Sequence, residues 1–217
     1  MNSFKVVLIG DGGVGKSTFL KRCRTGEFEK KYIPTMGVDV GHLTFDTNYG
    51  IVIFKVWDCA GQEKLGGLKE GYYQEAQGAI VMFDLTSRVT HTNAAKWIED
   101  IRQVSPDIPV ILCGNKCDIQ DRKVEHNHIN DMLPADVNYF QISARRNVDL
   151  NSPWLDLAKQ LTGHGDLEFV EMPPVTPPTI TITSIDHGPK KTTNWLPIPG
   201  YGSMKITTKY EYYPEHK

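Results

Sequence analysis

Residues Gly10-Asp11-Gly12-Gly13-Val14-Gly15-Lys16-Ser17 combine four glycines, a lysine and a hydroxyl within eight positions. Glycine lets successive backbone N–H groups turn toward an anion without a Cβ in the way. Lysine adds a mobile positive charge, and a serine hydroxyl is a hard oxygen ligand for Mg²⁺. That combination suits a polyphosphate: Asp11, Gly12, Gly13, Val14 and Gly15 wrap it, with Ser17 and Thr18 at the start of a helix. Lys16 then reaches the β- and γ-phosphates, and the helix N-terminus adds partial positive charge.

Asp58-Cys59-Ala60-Gly61 supplies a second fragment of the same chemistry. An acidic residue at a strand end can hold Mg²⁺ through water, and the Gly61 N–H can approach the γ-phosphate. Gln62 follows at once and is the residue placed to orient an attacking water. Thr35, beside Pro34 and Gly37, is the remaining candidate for Mg²⁺ and the γ-phosphate. The expected metal ligands are therefore Ser17, Thr35 and, through water, Asp58; the expected catalytic residues are Gln62, Lys16 and Thr35.

Asn115-Lys116-Cys117-Asp118 and Ser143-Ala144-Arg145 each follow a strand-like run. A carboxylate accepts two hydrogen bonds from the N1–H and exocyclic amine of guanine, a pair that adenine cannot supply. Asp118 is thus the base-reading candidate. Asn115 braces the loops, the Lys116 stem covers the base, and the Ala144 N–H donates to guanine O6. The ligand expected from these fragments together is GTP or GDP with Mg²⁺.

Those fragments need elements to hold them. Phe4–Ile9, Ala79–Phe83 and Val110–Cys113 are continuous apolar runs, as strands buried on both faces read, and Tyr139–Ile142 adds another. Val38–Asp46 and Ile51–Trp57, joined by Thr47-Asn48-Tyr49-Gly50, read as an antiparallel hairpin. Helices are expected over Ser17–Arg24, over Asn93–Val104 with apolar Ala94, Trp97, Ile98 and Ile101 on one face, and around Trp154–Leu161. The expectation is an α/β fold: a six-stranded, mostly parallel sheet with one antiparallel edge strand and helices on both faces. Ligands in such folds bind beyond the carboxyl ends of the strands, where the motifs fall.

A formal net charge of -2 over 217 residues argues against broad electrostatic binding to nucleic acid or acidic lipid. No apolar run is long enough to cross a bilayer. The four cysteines lack a second Cys or His pair at zinc spacing, so they read as reduced structural thiols. Eight of the thirteen prolines lie from Pro173 onward, which places a domain boundary near 172 and predicts extended, polyproline-like chain over 173–217. That extension carries five lysines against three acids, Asp186, Glu211 and Glu215. It is about +2, and any docking is expected through its aromatic residues rather than through charge.

With the motifs in this order, residues 4 to about 172 resemble a Ras-superfamily GTPase with the P-loop GTPase fold, and more closely the Ran branch. The longer strings carry that closeness: Thr25-Gly26-Glu27-Phe28-Glu29-Lys30-Lys31-Tyr32, Gly61-Gln62-Glu63-Lys64-Leu65-Gly66-Gly67-Leu68 and Gly71-Tyr72-Tyr73 for the two switches. Phe83-Asp84-Leu85-Thr86-Ser87-Arg88-Val89-Thr90, Asp121-Arg122-Lys123-Val124 and Leu167-Glu168-Phe169-Val170 are similar as well. The resemblance implies that Phe28 packs against the guanine. It implies karyopherins (importins and exportins), an exchange factor and a GTPase-activating protein as partners, with the nucleus and cytoplasm as location.

Cys59 and Arg145 stand where the branch usually has Thr and Lys. The branch's acidic tail end and compact basic patch are both missing, since no Lys or Arg lies between Val124 and Ala144. Two other readings compete. A prenylated GTPase of vesicle traffic or signalling needs a cysteine near the C-terminus, and the last one here is Cys117. A nucleotide-holding scaffold without hydrolysis is disfavoured because Lys16, Ser17, Thr35, Asp58 and Gln62 are all present. No direct nucleic-acid contact and no membrane anchor are expected.

Overall fold

A computed structural model describes residues 2–31, 33–61, 68–125, 129, 133–170, 193–198 and 202–207, with backbone alone for 68–70 and the last two stretches. Six strands form one sheet: β1 (Asn2–Ile9), β2 (Val38–Thr47), β3 (Gly50–Cys59), β4 (Gly78–Asp84), β5 (Val110–Asn115) and β6 (Asn138–Gln141). Their spatial order is β2-β3-β1-β4-β5-β6, with β2 antiparallel to β3 and every other pairing parallel. The expected sheet is present, its antiparallel strand at the edge.

Alternation along β1 distributes the core. Val6 and Leu8 join a cluster with Phe19, Leu20, Phe54, Ile80, Trp154 and Leu157, while Val7 and Ile9 join Val81, Phe83, Trp97, Ile98 and Ile101 on the other face. Helices α1 (Lys16–Thr25) and α4 (Ser152–Thr162) therefore cover one face. Helix α3 (Arg88–Val104) covers the other, burying Ala94, Trp97, Ile98 and Ile101 as their spacing predicts. The short α2 (Leu68–Tyr73) sends buried Tyr73 into the same cluster as α3.

Helix α3 begins five residues before the expected Asn93. Ser87 caps it, its side chain accepting from the Thr90 N–H, so the first turn is built by polar residues that leave no apolar period. Gly10 closes β1 at φ 136°, and a Cβ there would sit 2.1 Å from the Met82 carbonyl oxygen of β4. Gly10→Ala is expected to destabilise the fold by about 2–4 kcal/mol, from strained backbone plus displacement of β4. Urea unfolding of the GDP-loaded protein measures it; a loss below about 0.5 kcal/mol would show that β4 yields freely.

The chain divides into two compact units, Met1–Pro173 and Pro174–Lys217. At the end of the first, Val170 N–H donates to the Asp46 carbonyl (2.8 Å) and Phe169 bridges Thr47 and stacks on Phe45 at 4.2 Å. The second holds an antiparallel hairpin, β7 (Thr193–Ile198) with β8 (Gly202–Thr207). The expected polyproline-like chain is thus corrected over these two stretches. The prolines cluster before the hairpin, and Pro197 sits in a strand whose sheet has only two members, where a missing N–H is tolerated. Among the described residues no helix is long and apolar enough to cross a membrane.

Candidate active site

The carboxyl ends of β1, β3, β4 and β5 meet at one edge of the sheet, and the loop Gly10–Gly15 leaves β1 there to start α1. Lys16 is buried, and its Nζ donates to the carbonyls of Gly10 (2.8 Å) and Asp11 (2.9 Å). Two neutral carbonyls leave this ammonium's charge uncancelled. Burial lowers the Lys16 pKa, and the charges of Asp58 and Asp11 oppose that shift. A desolvated cation in an open pocket lined by Gly13, Ser17, Thr35 and Gly61 is a strong attractor for an anion.

Three candidate metal ligands converge, though they lie far apart in sequence. Ser17 Oγ is 2.7 Å from Thr35 Oγ1 and donates to Asp58 Oδ2. Asp58 is 1% exposed, and its other oxygen, Oδ1, is buried without a hydrogen-bond partner. Burial raises its pKa, opposed by the Ser17 hydroxyl and by Lys16. Buried polar atoms are rarely left orphaned. Two hydroxyls and a carboxylate with one oxygen unpaired form a hard-oxygen set suited to Mg²⁺ and its waters.

The base-side loops are cross-braced. Asn115 Nδ2 donates to the Val14 carbonyl (2.8 Å), and Asn115 Oδ1 accepts from the Ala144 N–H (3.1 Å). The Ala144 N–H, expected to face guanine O6, is therefore engaged by Asn115 here. Lys116 stands at φ 66°; its Nζ pairs with Asp84 (2.6 Å) and donates to the Gly13 carbonyl (3.0 Å), which ties this loop to the end of β4 and to the phosphate loop. Ser143 Oγ donates to Asp118 Oδ1 (2.6 Å), while Arg145 Nη1 stands 3.9 Å from Asp118 Oδ2.

Phe28 lies half-buried in the loop after α1, and Thr18 in the first turn of α1. Gln62 lies outside the described residues. Gly61, just before it, accepts the Gly12 N–H (3.1 Å), and a Cβ on Gly61 would fall 2.3 Å from the Asp11 carbonyl carbon. Sequence reading missed Asp84. A carboxylate ending a fully buried strand is the signal that could have marked it, since such a charge needs a cation nearby.

The family model of the Ras family matches residues 5–163, well over half of the chain. The chain belongs to the Ras family. It is a small GTPase, a hydrolase, and its sheet and loops are those of the P-loop GTPase fold. Ras-family GTPases bind GTP and GDP, typically with Mg²⁺, and work with exchange factors and GTPase-activating proteins. The buried Lys16, the Ser17–Thr35–Asp58 cluster and the braced base loops are the features of this chain that fit such a ligand.

Proposed function

We propose that this Ras-family GTPase is a Ran-like switch that binds karyopherins in its GTP form and works between nucleus and cytoplasm. The observation that carries the reading is where the Ran-like strings fall. Thr25–Tyr32 and Gly61–Leu68 adjoin Thr35 and Gly61 in sequence, two residues that line the candidate phosphate pocket, and Gly71–Tyr73 follows closely, while Phe83–Thr90 begins in β4. Partner choice in a switch resides in segments that sense the γ-phosphate. The Leu167–Val170 string adds support: Leu167 is fully buried and Phe169 stacks on Phe45, at the far end of the hairpin that joins the two switches.

Within that reading, Lys16 binds the β- and γ-phosphates, helped by the N–H groups from Gly13 to Thr18. Ser17 and Thr35 would hold Mg²⁺ directly and Asp58 through water, and the ion would supply charge neutralisation to the phosphates. Gln62 orients water for attack on the γ-phosphorus. Asp118 reads guanine, Asn115 and Ser143 hold the pocket, and Phe28, Lys116, Ala144 and Arg145 enclose the base.

A pull-down from native extract with protein loaded with a non-hydrolysable GTP analogue or with GDP tests the partner class. Karyopherins retained by the triphosphate form alone are the expected result. Recovery of vesicle-tethering proteins instead, with karyopherins absent, would replace the reading with the trafficking one.

Ser17→Asn is expected to weaken Mg²⁺-dependent GTP binding about 10–100-fold and to favour the GDP or empty form. The amide fills the place where the hydroxyl meets Thr35 and Asp58. Titration of labelled GTP and GDP with and without Mg²⁺ measures it. An unchanged Mg²⁺ dependence would remove Ser17 from the ligand set.

A further inference from the structure

Asp11 is the only acidic residue in the phosphate loop, and a fixed negative charge beside a polyphosphate opposes binding. Its carboxylate is turned to α3. Oδ2 accepts from Asn93 Nδ2 at 2.8 Å and Oδ1 from the indole Nε1–H of Trp97 at 2.7 Å. Asn93 and Trp97 are four residues apart, hence neighbours on one helix face. Trp97 is 4% exposed and fixed in the core cluster with Ile98 and Ile101, so its N–H is held on a rigid mount.

The backbone of the same residue meets two further parts of the site. The Asp11 carbonyl accepts from Lys16 Nζ, and the next amide, Gly12 N–H, donates to the Gly61 carbonyl. Gly61 packs so close to this backbone that a Cβ would fall 2.3 Å from Gly12 N. One residue therefore joins α3, the phosphate-binding lysine and the entry to the second switch.

We propose that Asp11, Asn93 and Trp97 form a clamp through which α3 positions the phosphate loop and, through Gly12, the approach of Gly61. Asp11 acts as a positioning residue. It holds the loop in the shape that retains nucleotide, and its two neutral donors keep its charge on the helix side without cancelling it. Hydrogen bonds to a charged acceptor are among the stronger ones, so release of either donor changes how firmly the loop is held.

Exchanging the two polar partners separates positioning from packing. In Asp11→Asn the contact becomes amide to amide, and the two bonds to a charged carboxylate become weaker neutral ones. In Asn93→Asp two carboxylates face each other. Each single variant is expected to release labelled GDP about tenfold faster, the factor that ~1.4 kcal/mol gives. In the double variant Asp11→Asn/Asn93→Asp the donor and acceptor are reversed, and the amide oxygen introduced in the phosphate loop still accepts from Trp97. GDP release should return to within about twofold of the parent, a coupling that independent sites do not show.

Trp97→Phe, which keeps most of the ring packing but removes the donor, should release GDP about threefold faster, with little change in melting temperature at saturating GDP. The measurements use the full chain: stopped-flow release of labelled GDP, single-turnover GTP hydrolysis and thermal denaturation for each variant. Single effects that simply add in the double variant would overturn the clamp. So would melting temperatures that fall while GDP release stays at the parent rate, which is the signature of a contact that only supports the fold.

Discussion

Asp118→Asn is expected to move the preference of the base pocket from guanine toward xanthine by about 10²–10⁴-fold. Asp118 is held for reading by Ser143, whose hydroxyl donates to Oδ1 while accepting the Arg146 N–H. Its side chain is only 9% exposed, so water competes weakly for its oxygens. Two charge-assisted hydrogen bonds to guanine are together worth about 3–5 kcal/mol, which sets the range. The asparagine amide presents an N–H where xanthine carries a carbonyl, so the pocket gains a new ligand as it loses the old one. The Ser143 hydroxyl can donate to or accept from an amide, and should hold the substituted side chain in place. Competition between GDP and XDP for labelled nucleotide decides the matter, and an unaltered preference for GDP would reassign the base pocket.

Gln62→Leu should leave GTP binding intact and abolish most hydrolysis stimulated by the activating protein. In switches of this class the activator contributes about 10⁵-fold, with the glutamine orienting the water and an arginine stabilising the transition state. Gly61, the residue before Gln62 in sequence, is anchored against the phosphate loop through Gly12 and lines the same pocket as Thr35 and Lys16. Leucine is close to glutamine in size but can neither donate to water nor accept from it. Single-turnover hydrolysis with and without activating protein gives the result. A variant still stimulated by several orders of magnitude would mean that another group orients the water.

The sheet was legible because β1, β4 and β5 are buried on both faces, and continuous apolar runs such as Val6–Ile9 and Ala79–Phe83 have few other uses. The candidate site was legible for a different reason: phosphate and base chemistry restricts residue type over short spans. What escaped was built from partners distant in sequence. Trp97 fitted the apolar stripe of α3, and nothing local tells that its indole N–H reaches Asp11, 86 positions away. Asp84 gave no sign of its pairing with Lys116 until two strand ends were adjacent. The six residues of α2 include Gly71 and are too few for a clear period. In 193–207 the prolines outweighed Trp195, Leu196, Ile198 and Ile206, apolar residues with which a hairpin can form.

The turn between β2 and β3 is completed from the other end of the domain. Asn48 donates through Nδ2 to the Asp166 carbonyl and accepts the Glu168 N–H, contacts spanning 118 and 120 positions. Tyr49 donates its hydroxyl to the Asp166 carboxylate and stacks on His164 at 4.0 Å. Synthesis runs from the N-terminus, so β2 and β3 leave the ribosome long before these partners exist. Until residues 164–170 arrive, the sheet carries an edge with Phe45 uncovered and the Asp46 carbonyl unpaired by Val170. The edge strand is thus finished last, and a chain arrested short of residue 170 would expose it to pairing with other chains.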